Sequence, residues 1–260
     1  MPEFASTADA DPRSGIAAAD RYLDAGYAEV PGMSSRFAAA ICCGLLRMQA
    51  ELGIGGPIAE IGTFEGRFFI ALAHALAPSE TALAIDRFDW PDRAVIDRFE
   101  RNCAKHGIAA ERRVTWRADS LSMRPMELLG KLGGRPARFI HIDGEHSRAA
   151  LSNDLELATA ALAPAGILAL DDMLHPGYPT LIVAVHDYLA RHSEMCVLAV
   201  IDRESIVAAS KFLVCQRQWF KHYEAKLLAA YPAHVWPMGA DFEPHWCLVL
   251  SRDTKLAPIA

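Results

Sequence analysis

Ile58-Ala59-Glu60-Ile61-Gly62-Thr63-Phe64-Glu65-Gly66 is an apolar run that ends in ExGxxxG, and a helix-like segment, Phe68 to Leu76, opens straight after it. A strand, a tight glycine turn and a helix N-terminus in that order let backbone come very close to a ligand, because glycine carries no Cβ. The spacing is not the GxGxxG that cradles a dinucleotide pyrophosphate. A carboxylate at the strand end suits a cationic ligand better than a phosphate. A glycine turn by itself fits any α/β protein, so the weight of the argument falls on what surrounds it.

Outward from this stretch, strands and helices alternate. Strand-like runs cover Pro57–Ile61, Ala82–Ile85, Val114–Arg117, Phe139–Ile142 and Ile167–Leu170. Helix-like segments lie between them, at Arg67–Leu76, Arg93–His106, Met126–Leu132 and Ser147–Leu162, and a further helix leads in from Ser34 to Leu52. This βαβα rhythm predicts a parallel, doubly wound sheet with ligands at the carboxyl ends of its strands. After a helix at Tyr178–Arg191 the pattern changes. Met195–Ile201 and Ile206–Val214 are β-rich and separated by only Asp202-Arg203-Glu204-Ser205, a gap that suits an antiparallel hairpin and is too short for a parallel crossover. Trp219 to Ala230 reads as a helix, and Trp246–Leu250 as a last strand.

The chain of 260 residues is long enough for one large domain, or one domain with an appendage, and 52% hydrophobic content supplies a sizeable core. A net charge of −6 argues against a nucleic-acid partner. No apolar stretch reaches the roughly 18 uncharged residues of a membrane helix. Met1 to Gly15 is polar and small, without the basic-then-apolar layout of a signal peptide, and reads as a loose tail. The six cysteines form no CxxC pair and no zinc spacing, so buried, reduced thiols of a cytoplasmic protein are expected.

Acidic residues mark the end of every strand in the parallel half. Glu60 ends the first strand and Asp86 the second, Asp119 follows the third, Asp143 the fourth, and Asp171-Asp172 the fifth. One carboxylate in a loop is ordinary; five strand ends in a row are hard to attribute to solvated turns. Asp86, twenty residues beyond Gly66, is placed to accept both hydroxyls of a ribose. Asp119 is placed to accept an amine from an adenine edge, and Glu60 to hold a cationic end through the glycine turn.

With these features the chain, from about Ser34 to Cys215, resembles the class I S-adenosylmethionine-dependent methyltransferases. The resemblance rests on ExGxxxG at Glu60, on Asp86, on the Ala-Asp-Ser segment around Asp119 and on the late hairpin. It implies a Rossmann-like, mostly parallel seven-stranded sheet with a late antiparallel strand. It also implies adenosylmethionine lying across the strand ends against Glu60, Gly62, Gly66, Asp86, Asp119 and Ser120. Two further segments, Phe139-Ile140-His141-Ile142-Asp143-Gly144-Glu145-His146 and Leu170-Asp171-Asp172-Met173, are similar to a narrower branch, the metal-dependent O-methyltransferases of sugars and other small hydroxylated metabolites. In that branch acids after the fourth and fifth strands hold a divalent ion, which maps to Asp143, Asp171 and Asp172. A basic residue three positions after the first of these takes the proton, which maps to His146.

The chemistry agrees with that mapping. Three hard oxygen ligands leave up to three octahedral positions for water and substrate, as Mg²⁺ prefers, although another divalent ion is open. A cation lowers the pKa of a coordinated hydroxyl, and a base within reach takes its proton. Bland alternatives stand beside each assignment. His146 suits an N-cap of the Ser147 helix, Asp171-Asp172 a capped loop, and His141, inside an apolar strand, a satisfied core histidine. The pair after the fifth strand also departs from the His-Asp that many such enzymes carry.

The expectation is therefore a metal-dependent O-methyltransferase for a small hydroxylated acceptor, a glycoside or secondary metabolite. Residues 1–33 would form a tail and lid, 34–217 the adenosylmethionine-binding domain, and 218–260 an extension packed on it. The aromatic residues of the extension, Trp219, Tyr223, Trp236 and Trp246, would cover the acceptor pocket or form a homo-oligomer contact. The loop from Met173 to Tyr178 and the Tyr22–Arg36 segment would select the acceptor. A nicotinamide oxidoreductase, a relative doing hydroxylase-type chemistry and a non-catalytic adenosylmethionine-binding protein are the rival readings.

Overall fold

In the computed structural model, which describes residues 11–254, β1 (Ile58–Ile61) is buried at every position, the pattern of a strand covered on both faces. It pairs in parallel with β2 (Ala82–Asp86) on one side and with β4 (Ala137–Ile142) on the other. β3 (Arg113–Arg117) extends the sheet beyond β2, and β5 (Leu162–Met173) beyond β4, both in parallel. The strand order 3-2-1-4-5 reverses between β1 and β4, so a crevice opens at their carboxyl ends.

The crossovers are helical. α1 (Ala17–Arg21) and α2 (Arg36–Glu51) precede β1, and α3 (Arg67–His74), α4 (Val95–Lys105), α5 (Pro125–Lys131), α6 (Arg148–Ala161) and α7 (Leu181–Arg191) follow successive strands. α2 starts where Ser35 Oγ accepts the Ala38 N–H at 3.0 Å, and α6 where Ser147 Oγ accepts that of Ala150 at 3.2 Å. Ser147, not His146, is thus the cap of α6. α2 is apolar and buried without a break from Phe37 to Leu46.

Beyond β5 the sheet changes direction. β7 (Ser210–Gln216) inserts antiparallel between β5 and β6 (Met195–Ile201), the hairpin that the short connection predicts. The expected count of seven strands is too low: among the described residues the sheet has nine, in the order β3-β2-β1-β4-β5-β7-β6-β9-β8. After α8 (Arg217–Ala230), β9 (His245–Leu250) pairs in parallel with β6, and β8 (Val235–Phe242) closes the edge antiparallel to β9. β8 hides from a pattern search because it carries Pro237 and a left-handed Gly239 (φ +64°), and its register slips between Trp236 and Ala240. Proline gives no ladder donor, so only an edge strand or bulge accommodates it.

Of the expected N-terminal tail, residues 1–10 lie outside the described residues. Tyr22–Gly26 and Tyr27–Glu29 form further helical turns, and Tyr22, Leu23, Tyr27 and Val30 are buried. Tyr22 Oη donates to the Arg67 carbonyl at 3.0 Å, and Arg67 returns Nε to the Val30 carbonyl at 2.5 Å. These contacts seat the segment on α3 and carry Met33 to the crevice. All six cysteines are buried and free. Among the described residues no helix is long and apolar enough to cross a membrane.

Candidate active site

Gly62 makes the crevice. Its φ is +87°, and a Cβ there would meet the Asp143 carbonyl oxygen at 1.8 Å, so only glycine lets the β1 and β4 loops lie this close. The Asp143 N–H donates to the Ile61 carbonyl and ties the two loops, while the Gly62 N–H donates to the Ile85 carbonyl of β2, each at 2.8 Å. Gly66 also has a left-handed φ, +93°, but serves packing: a Cβ would press on the Phe99 ring at 2.9 Å. It does not line the cavity, contrary to the expectation of a cofactor contact.

The cavity above the switch point encloses about 590 Å³. Asp86, Asp119, Ser120, Asp143, His146, Asp171 and Asp172 all border it, together with Gly62. Asp86 accepts the Phe64 N–H on Oδ2 at 2.8 Å and the Phe88 N–H on Oδ1 at 2.7 Å. Phe64 (φ +49°) and Phe88 (φ +48°) are both left-handed, so one carboxylate holds two unusual loop conformations. Each of its oxygens keeps a second lone pair for a ligand hydroxyl. Asp119 accepts the Leu121 N–H at 3.0 Å and thereby fixes the turn that presents Ser120.

Glu60 is placed differently from its expected role. It is 2% exposed, does not line the cavity, and takes His141 Nδ1 on Oε1 at 2.6 Å. Strand register explains this, because Glu60 faces His141 directly across β1 and β4. His141 is buried and hydrogen-bonded as a core histidine, stacked on Phe68 at 4.2 Å. Its Nε2 lies 3.0 Å from Lys211 Nζ, and Lys211 in turn contacts Asp171 Oδ2.

On the cavity side, His146 Nε2 lies 2.6 Å from Asp172 Oδ2 and 4.0 Å from Asp143 Oδ1, and its ring stacks on Tyr178 at 4.3 Å. The hydrogen bonds and charges of Asp143 and Asp172 push the imidazole up to about 10, well above the value of about 6.5 that suits a free base. Burial and the Asp171 charge push the Asp143 carboxyl up to about 7. Burial acts the same way on Asp171, but Lys211 and His141 outweigh it and hold that carboxyl well below the usual range. Asp172 reaches His146 from a left-handed backbone, φ +58°, which aspartate tolerates better than most residues.

Ligand-type atoms within 4.8 Å of one another form two groups among the described residues, His141–Asp143–Asp171 and Asp143–His146–Asp172. The three acids expected around one cation therefore arrive as two overlapping groups that share Asp143. The donor set fits a hard divalent ion, with carboxylate oxygens in the majority. Met33, His175 and Tyr178 border the cavity from the two segments expected to select the acceptor. Phe64, Arg87, Trp90, Val207 and Lys211 were not legible as site residues, although a lone lysine inside the apolar run Ile206–Val214 was a usable signal.

Residues 59–173 match the family model described as a methyltransferase domain. No curated protein sequence is significantly similar to the chain. Among solved structures, the O-methyltransferase TomG from Streptomyces achromogenes, involved in tomaymycin synthesis and in complex with adenosylmethionine, superposes at TM-score 0.55 and 21% identity, covering 76% of this chain and 87% of that one. An O-methyltransferase from Bacillus cereus in complex with adenosylhomocysteine gives TM-score 0.58 at 14% identity, over 77% and 90%. The TDP-rhamnose 3'-O-methyltransferase CalS11 of calicheamicin biosynthesis gives 0.52 at 18%, over 68% and 77%. At these identities the likeness is one of fold.

Proposed function

We propose that this chain, whose residues 59–173 match a methyltransferase domain, moves the methyl group of S-adenosylmethionine to an oxygen of a small hydroxylated acceptor, with a divalent cation at Asp143, Asp171 and Asp172. The observation that carries the reading is one cavity bounded both by Asp86 and by the Asp143–His146–Asp172 cluster. A nucleoside-type acid and an acid–imidazole cluster on facing loops bring a methyl donor and an activated hydroxyl together. The structural neighbours that hold adenosylmethionine or adenosylhomocysteine, and one that acts on a sugar nucleotide, support it.

When bound, adenosylmethionine supplies an electrophilic methyl and the divalent cation lowers the pKa of the acceptor hydroxyl. The rest falls to side chains of this chain. Asp86 takes the ribose hydroxyls on the lone pairs left free by Phe64 and Phe88. Asp119 and Ser120 stand at the adenine end. His146 takes the acceptor proton on Nε2, with its ring held flat by Tyr178. As an ion-paired imidazole near 10 it would keep its own proton. Anything that draws Asp143 and Asp172 off the ring returns it toward its ordinary range, so base strength and cation occupancy are coupled through two carboxylates. Met33 and Trp90, the latter 64% exposed, give the acceptor side an apolar rim.

The test is incubation with adenosylmethionine, Mg²⁺ and a panel of glycosides, phenols and hydroxylated metabolites, read by mass spectrometry. The reading expects one methyl group added at oxygen. Methylation at nitrogen or carbon with every hydroxyl compound inert would contradict it.

A further inference from the structure

We propose that Lys211 is a positioning residue that sets two carboxylates of the divalent-cation site, an inference that rests on the cation reading above. Lys211 lies on β7 with 0% exposure and does not border the cavity, so it touches neither acceptor nor cofactor. Yet its ammonium is surrounded by groups that lead to the site. Nζ contacts Asp171 Oδ2, lies 3.0 Å from His141 Nε2 and sits 4.6 Å from the centre of the Phe68 ring.

An ammonium has only donors, so His141 Nε2 accepts, and the imidazole proton resides on Nδ1, where it donates to Glu60 at 2.6 Å. Glu60, His141, Lys211 and Asp171 thus form a continuous buried chain across β1, β4, β7 and β5. Asp171 is its only member that also borders the cavity.

The far end of the chain is where the device acts. Asp171 Oδ2 receives Lys211 and, at 3.2 Å, Ser34 Oγ, while Oδ1 accepts the N–H of Asp172 at 2.8 Å. The anchored carboxylate therefore holds the peptide that turns Asp172 into its left-handed conformation, φ +58°. That turn aims the Asp172 carboxylate at His146. One buried ammonium orients Asp171 directly and Asp172 through its backbone. Partners of ligating carboxylates commonly act in this way, and their loss weakens metal affinity by about 10–100-fold.

Lys211→Met keeps most of the side-chain length and the contact with Phe68 but removes every donor. Titration of the purified, EDTA-treated full-length protein with Mn²⁺, followed by electron paramagnetic resonance, gives its cation affinity. Calorimetry with adenosylmethionine and a thermal melt report on the cofactor site and the fold. The proposal expects Mn²⁺ affinity to fall about 10–100-fold while adenosylmethionine affinity is unchanged. Lys211→Gln, which drops the charge but can still donate to Asp171, is expected to lie between wild type and Lys211→Met. Equal or tighter Mn²⁺ binding by a folded Lys211→Met protein would overturn the proposal and leave the cation reading standing. No Mn²⁺ binding by the wild type would overturn the cation reading, and the proposal with it. Loss of fold in both variants would assign Lys211 to sheet stability and overturn the proposal as well.

Discussion

Two chains of polar side chains meet at Asp171-Asp172 and behave as opposites. Glu60, His141, Lys211 and Asp171 are sealed between the sheet and α3, with exposures of 8% or less. Asp143, His146 and Asp172 stand at the cavity wall, with side chains 16–35% exposed. The residue types are nearly the same, carboxylates and cations at hydrogen-bond distance. In the dry chain the partners are fixed by packing, and removing a member strands another charge in low dielectric. In the wet cluster water or a ligand can replace a partner, so the charges are available to chemistry. Both Asp171 and Asp172 border the cavity, and their partners, not residue identity, separate them: Asp171 is anchored by the buried Lys211 and Asp172 pairs with the half-buried His146.

The largest effect is expected on the wet side. His146→Ala should lower the rate of methyl transfer by roughly 10²–10⁴, the usual contribution of a placed general base, with adenosylmethionine affinity unchanged. Steady-state rates and calorimetry on the same preparation decide it, and a near-normal rate would leave His146 a bystander to the two acids.

On the dry side the effect should be on stability. Asp171→Asn strands the Lys211 ammonium and should cost about 3–5 kcal/mol in urea unfolding without added metal. Asp172→Asn in the same assay should cost about 1 kcal/mol or less, since its partner His146 can turn to water. Equal losses in the two variants would erase the distinction between the chains.

The smallest expected effect concerns pH. His146 is raised to about 10 in the folded protein by Asp143 and Asp172, against about 6.5 unfolded. A raised pKa stabilises fully below the unfolded value, and that stabilisation is lost as pH rises through the folded value. In metal-free buffer, wild type should therefore exceed His146→Ala in melting temperature at pH 6, and the gap should close between pH 7 and pH 10. A third of the side chain is exposed, so screening keeps the difference small. A gap that widens with pH would contradict the ion-pair assignment.

The parallel half of the fold was legible because β1, β2, β4 and the core of β5 are apolar runs with an acid at or beside their carboxyl ends and helices between them. Asp86, Asp119, Asp143, Asp171 and Asp172 mark the cavity because they lie at the carboxyl ends of the strands, where the crevice opens. β8 was not legible, because Pro237 and Gly239 interrupt the alternation that a pattern search needs. Glu60 was misread for a three-dimensional reason: only the pairing of β1 with β4 places it opposite His141. Lys211 sits seventy residues from His141, and no local signal joins them. His146 was identified through the resemblance, three positions after Asp143, whereas its raised basicity depends on Asp143 together with Asp172, which reaches it from another strand's loop.

The central claim is that Asp143, Asp171 and Asp172 hold a divalent cation beside the transferred methyl. It is tested most directly by following adenosylhomocysteine formation with an accepted hydroxyl substrate in EDTA-treated protein, before and after Mg²⁺ is added. The account predicts no turnover in EDTA and full recovery with Mg²⁺, with the recovery abolished in Asp143→Asn. Turnover in EDTA equal to that in Mg²⁺ would contradict it, and would leave Asp143, Asp171 and Asp172 as partners of His146 and Lys211 alone.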